Sequence, residues 1–264
     1  MPNVPEVPWR FGERYLVTDF VMAKNAAIME QAGSLAVVGG PIVGDRFVEA
    51  AARWIRDEFF YPLDNAGNPS ASGQLLRHQK GLLSGHFFKK CVYYMWGLPV
   101  ETLFTGCGIC VDTANLAGSI FRAKGLDGAW VCLGDVRSVK DDTLLGRHSW
   151  ISVPYHGATY LLETTAHEIG ANNLVEASQV YDRVSRWAQS KGLYYVLQAR
   201  YNEGEFIGEG PLGAQIVEVM GLPAKRVLLF GIDATRSQKP RKLYKEWRQE
   251  ELIKERLLRE AYRG

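Results

Sequence analysis

The stretch TGCGICVDTANLAGSIFRAKG, Thr105 to Gly125, sets two cysteines three residues apart and runs at once into a helical pattern. Ala114, Ala117, Ile120 and Phe121 fall on one side of that helix, and Gly125 supplies its stop. A C-x-x-C pair can be half of a zinc site, a redox pair, or one working cysteine beside a bystander. The rest of the chain bears on which.

A structural zinc needs four ligands, usually two short-spaced clusters. Cys107 and Cys110 supply one cluster, but Cys132 stands alone and His148, His156 and His167 are scattered. A thioredoxin-like pair follows a strand, whereas LPVETLFTG upstream reads as a turn and a short helix. The third reading makes Cys110 a nucleophile at a helix N-terminus. There the positive end of the macrodipole and unpaired backbone N–H groups favour a thiolate and can hold an oxyanion. Small residues at Ala114, Ala117 and Gly118 let the helix pack closely on a sheet. A buried, inert thiol is the ordinary reading of a lone cysteine.

A cysteine nucleophile needs a base, and the base an orienting group. The stretch RHSWISVPYHGATYLLETT reads as a hairpin with a two-residue turn at His156-Gly157. That turn pairs Tyr155 with Ala158 and, counting back, Trp150 with Glu163. His148 then shares the face carrying Glu163, at a diagonal spacing of ~7–8 Å that the two side chains can close. A turn of odd length would send Glu163 to the other face. His78, His86, His156 and His167 have no comparable setting, and His156 reads as a turn residue.

These elements resemble the transglutaminase-like superfamily, whose core runs G-x-C-x-D-x-A-x-L, a helix ending in R-x-x-G, a strand, H-x-W-x-x-V, and a strand ending in Asp-x-Thr. Cys110, Asp112, Ala114 and Leu116 match the first element, Arg122 and Gly125 the second, and His148, Trp150 and Val153 the third. Glu163 stands where that superfamily usually has Asp, with Thr165 matching its threonine. The resemblance spans residues 46–170. It implies an α+β, papain-like core, with a helix bearing Cys110 packed on an antiparallel sheet bearing His148 and Glu163.

The catalytic set so implied is Cys110, His148 and Glu163, acting without metal or organic cofactor on a peptide or protein substrate. Hydrolysis of a peptide or isopeptide amide is the first expectation. The alternatives are a glutamine cross-linking transglutaminase, an arylamine N-acetyltransferase-like enzyme, and a catalytically silent scaffold. DTAN and ETTA fit the N-acetyltransferase motifs poorly, and an intact triad argues against a silent scaffold. The amide of Cys110 is the expected oxyanion donor, with Gln74, Tyr94 and Trp96 as side-chain candidates.

Further out, the domain organisation reads as a lead-in at 1–45, a core at 46–170 with an insert at 64–98, a continuation of the same domain at 171–235, and a charged helical tail at 236–264. Helices are expected near Asp19–Gln31, from Phe47 to Glu58 and near Ala177–Gln189. Strands are expected at GAWVCLG, at the hairpin and at RVLLFGI. The 264 residues are 47% apolar and 23% charged, enough to bury a real core. From Arg236 onward ten Lys/Arg face five Asp/Glu, so the tail is +5 and, with +2 overall, the body is −3. The body therefore lacks a nucleic-acid or anionic-membrane signature, and the 240–264 helix reads first as a solvated helix and second as a contact for a partner or for self-association. MPNVPEVPWRFGERY has neither the basic start nor the apolar run of a signal peptide, and four cysteines point to reduced thiols. A cytoplasmic location is expected.

Overall fold

A computed structural model describes residues 4–8, 14–39, 44–59, 96–105, 108–165 and 173–221. Cys91, Cys107, His78, His86, His167, Gln74, Tyr94, the strand expected at RVLLFGI and the tail helix lie outside the described residues. Among those described, eight strands and seven α-helices are numbered below in chain order. The protein is α+β.

The N-terminal strands β1 (Glu6–Pro8) and β2 (Arg14–Leu16) form an antiparallel ribbon, followed by a 3₁₀ turn at Val17–Phe20 and α1 (Ala26–Gly39). The helix expected near Asp19–Gln31 is thus displaced. Asn25 explains it: its Oδ1 accepts from the amides of Ala27 (3.1 Å) and Ile28 (3.4 Å), capping a new helix start. Helix α2 (Asp45–Glu58) buries Phe47, Val48, Ala51, Ala52 and Ile55. Of the face expected from spacing, Trp54 is half-buried and Glu58 exposed.

After α3 (Pro99–Thr105) comes α4 (Cys110–Ala123), in which every residue from Cys110 to Phe121 is buried. A helix covered all round needs packing partners on every side. Here β3 and β4 lie against it on one side, and α1, α2 and α3 pack on it as well. The small residues set how closely the sheet approaches: a Cβ at Gly118 would stand 2.7 Å from Val131 Cγ2.

Strands β3 (Trp130–Ser138), β4 (Leu144–Tyr155), β5 (Ala158–Leu162), β6 (Leu174–Glu176), β7 (Leu193–Tyr201) and β8 (Phe206–Gly208) form one antiparallel sheet in the order β6-β5-β4-β3-β7-β8. Val131, Leu133, Ile151, Val153 and Leu162 join the core around α4. Residues of opposite parity, Cys132, Trp150, Leu161 and Tyr195, form a second apolar cluster on the other face. Val180 of α5 (Ala177–Tyr181) closes that cluster, with Trp187 of α6 (Arg186–Lys191) against it. One helix was expected near Ala177–Gln189. The break falls where Asp182 Oδ1 takes the Val184 amide (3.0 Å) and Ser185 Oγ takes the Ala188 amide (3.0 Å), restarting the helix. Helix α7 (Gln215–Gly221) ends the described chain.

Candidate active site

Cys110 is the first residue of α4, with 9% of its surface exposed. The helix's own ladder opens with the Thr113 amide on Ile109 O, so the amides of Cys110, Val111 and Asp112 precede it. Asp112 is structural. Its Oδ2 accepts from the Ile109 amide (3.1 Å) and its Oδ1 from the Gly97 amide (2.5 Å), binding the helix start to the segment before α3. Gly108 has to lack a side chain: a Cβ there would meet Asp112 Cβ at 2.7 Å and Thr102 Cγ2 at 3.2 Å. Glycine, cysteine and aspartate at alternate positions are therefore one packing unit around the thiol.

The hairpin forms as its parity requires. Tyr155 pairs with Ala158 and Ile151 with Leu162, and His156 (φ 49°) and Gly157 (φ 76°) make the turn. Asp45 holds that turn through the His156 amide (2.9 Å) and Nδ1 (2.7 Å), so His156 is a turn residue. Beyond Leu162 the chain leaves the β4–β5 ladder while β4 continues back to Leu144. His148 lies just past that last pair. Thr164 Oγ1 meets Thr113 Oγ1 at 2.8 Å, pinning the first turn of α4 beside Glu163.

His148 Nε2 donates to Glu163 Oε2 at 2.7 Å. Nδ1 is left for Cys110, whose side chain lies close enough to the imidazole to favour its protonated form. Glu163 has no solvent exposure and is surrounded by donors. Its Oε1 takes the amide (2.9 Å) and hydroxyl (3.0 Å) of Thr165, and its Oε2 also takes the Tyr195 hydroxyl at 3.0 Å. Trp150 lies roughly parallel to the imidazole at 6.3 Å and donates its Nε1–H to Tyr181 Oη (2.9 Å).

Burial would depress the His148 pKa, but the Glu163 charge and the hydrogen bonds to Cys110 and Glu163 outweigh it, leaving the pKa well above 6.5. Burial likewise works to raise the Glu163 pKa, but His148 and the Thr165 donors carry it below 4.5. The pair is therefore ionised near neutrality. This arrangement can activate a thiol, hold a proton for a leaving group and keep the imidazole oriented.

The structure brings Cys110, His148 and Glu163 together. Cys132 is fully buried, and burial pushes its thiol up to about 12. Trp96 is 2% exposed and packs on Phe20 (5.2 Å) and Tyr201 (6.1 Å). Asp135, the other acid near His148, sits on β3 opposite Arg147, with parity opposite to His148. Tyr195 had no sequence signal, because it joins the site from a strand 32 residues past Glu163. Among the described residues no three His, Cys, Asp or Glu side chains converge as metal ligands, and no helix is long and apolar enough to cross a membrane.

The resemblance read from the sequence implies a Cys-bearing helix followed by antiparallel strands carrying the histidine and the acid, and the structure has that arrangement. No family profile and no curated protein matches the chain. Among solved structures, LapG of Legionella pneumophila in its EGTA-treated form is 14% identical over 74% of this chain and 96% of its own, with a TM-score of 0.38. Its calcium-bound form is 15% identical over 73% and 96%, with a TM-score of 0.35. A Cytophaga hutchinsonii protein described as a candidate cysteine protease is 13% identical over 73% of this chain and 51% of its own, with a TM-score of 0.36. Likeness at this level leaves the reading of the site to its own geometry.

Proposed function

We propose that the protein is a cysteine-nucleophile acyl-transfer enzyme that hydrolyses a peptide or isopeptide amide. The observation that carries this reading is the His148–Glu163 pair, closed at 2.7 Å and sealed from solvent on the carboxylate side, beside Cys110 at a helix N-terminus. In the first step Cys110, as the thiolate beside the His148 imidazolium, bonds through Sγ to the carbonyl carbon, the carbonyl π pair moves onto oxygen, and the oxyanion is held by the amides at the start of α4. The carbon–nitrogen bond then breaks, and the imidazolium of His148 gives its Nδ1 proton to the leaving amine. In the second step the neutral imidazole takes a proton from water, whose oxygen displaces the Cys110 thiolate, releasing the acid and restoring the imidazolium. Glu163 remains ionised and keeps Nε2–H pointed at itself throughout.

The test is a mixed peptide library incubated with the wild type and with Cys110→Ala, read by mass spectrometry. Paired cleavage products from the wild type alone support hydrolysis. Intact peptides gaining an amine would indicate transfer instead, and identical spectra would remove the enzyme reading.

A further inference from the structure

Tyr195 stands on β7, while Glu163 follows β5, and β3 and β4 lie between them. Three strand spacings in a flat sheet come to about 14 Å. The 3.0 Å contact between the Tyr195 hydroxyl and Glu163 Oε2 therefore needs a clear path across β3. The sequence provides it at one position. The β3–β7 register shifts between Leu133 and Gly134, a bulge that sharpens local twist. Gly134 is paired with His148, and a Cβ there would come within 2.6 Å of Trp150 Cη2 and 2.1 Å of Val196 O. With no side chain in the way, Tyr195 packs edge-on to Trp150 (5.0 Å) and reaches beneath His148, ring to ring at 6.0 Å.

Resting on the triad reading above, we infer that Tyr195 is a positioning residue. Its hydroxyl holds Glu163 Oε2 against His148 Nε2 and draws off part of the charge that the carboxylate presents to the imidazole. Two hydrogen bonds end on the same oxygen, so whatever Tyr195 withdraws, His148 does not feel. Burial first, and Glu163 second, keep the phenol pKa far above its ordinary 10, so the hydroxyl is a donor throughout the working pH range.

The titratable groups against the imidazole are Cys110 from α4, Glu163 from beyond β5 and Tyr195 from β7. Tyr181 of α5 stands behind Trp150, and Asp135 and Arg147 on the flanking strands have the opposite parity. Removing the Tyr195 hydroxyl thus leaves Glu163 as a more basic carboxylate with the same imidazole in front of it.

The experiment is an NMR titration of ¹³C-histidine-labelled protein, with the His148 signal assigned from His148→Ala. In Tyr195→Phe the His148 pKa should rise by about one unit, the effect of losing one hydrogen bond to a charged group. The alkaline limb of kcat/KM should move up in parallel. Site-specific 3-fluorotyrosine at position 195, a stronger donor of almost the same shape, should move both the other way, and it covers the case in which Tyr195→Phe fails to fold. An unchanged or lowered His148 pKa in folded Tyr195→Phe, or no movement with fluorotyrosine, overturns the inference. The titration needs no substrate, so failure of the hydrolase reading would appear separately, as a wild type without turnover.

Discussion

Glu163 is a carboxylate with no exposed surface, and His148, Thr165 and Tyr195 donate to it. A buried charge stripped of its counter-charge costs about 3 kcal/mol or more, so His148→Ala should destabilise as well as inactivate. The sign of the pH dependence follows from the two shifts. His148, raised above 6.5, contributes fully below 6.5, and that contribution is lost as pH rises through its folded value. Glu163, lowered below 4.5, contributes fully above 4.5, and that is lost as pH falls through its folded value. The stability gap between wild type and His148→Ala in urea melts should therefore be widest between pH 4.5 and 6.5 and narrow on either side. At this scale the sequence was informative because a hairpin's parity is rigid. Once His156-Gly157 is the turn, the face of Glu163 follows, and replacing Asp by Glu changes only the arm. Tyr195 was illegible because its approach depends on the register shift at Gly134 and on a strand far along the chain, neither of which has a local pattern.

Among the elements, α4 is the one whose position the chemistry cannot spare. Its distance from the sheet is set where Gly118 meets Val131, and its first turn is set where Gly108 meets Asp112. A methyl group at Gly118 has to displace a fully buried strand residue. Gly118→Ala should thus cost about 1–3 kcal/mol and lower the thermal midpoint. Gly108→Ala crowds Asp112 Cβ instead, within two residues of the thiol. It should reduce kcat more than its stability loss explains. Equal losses of kcat and melting temperature in the two variants would show that Gly108 has no particular hold on Cys110. The close approach at Gly118 was legible, since small residues on one side of a helix need a close neighbour. The displaced start of α1 was not, because Asn25 competes with a continuous pattern and wins through two amide bonds.

For the whole molecule, the question is how much chain the fold requires. The motif-bearing part ends near residue 170, and nothing in the sequence beyond it resembles a known core. In the structure that later chain supplies β6, β7 and β8, and β7 lies between β3 and β8. Pairing runs along β3 from Val131 to Ser138. Glu203, just after β7, takes Arg122 Nε and Nη2 at 2.6–2.9 Å, fastening the far end of α4. A chain stopped at residue 170 would leave β3 as a long open edge, expose the apolar side of Trp150, and lose the Tyr195 donor. That truncation should fail to give dispersed NMR signals or a cooperative melt. Deleting residues 240–264 has a different expectation. That segment is rich in charge and has only a weak apolar stripe, so the shortened protein should melt cooperatively and retain most of its turnover. The two truncations separate the possibilities: loss of folding in both would make the tail part of the core, whereas a folded but inactive 1–239 protein would make it a contact for substrate or for a second chain.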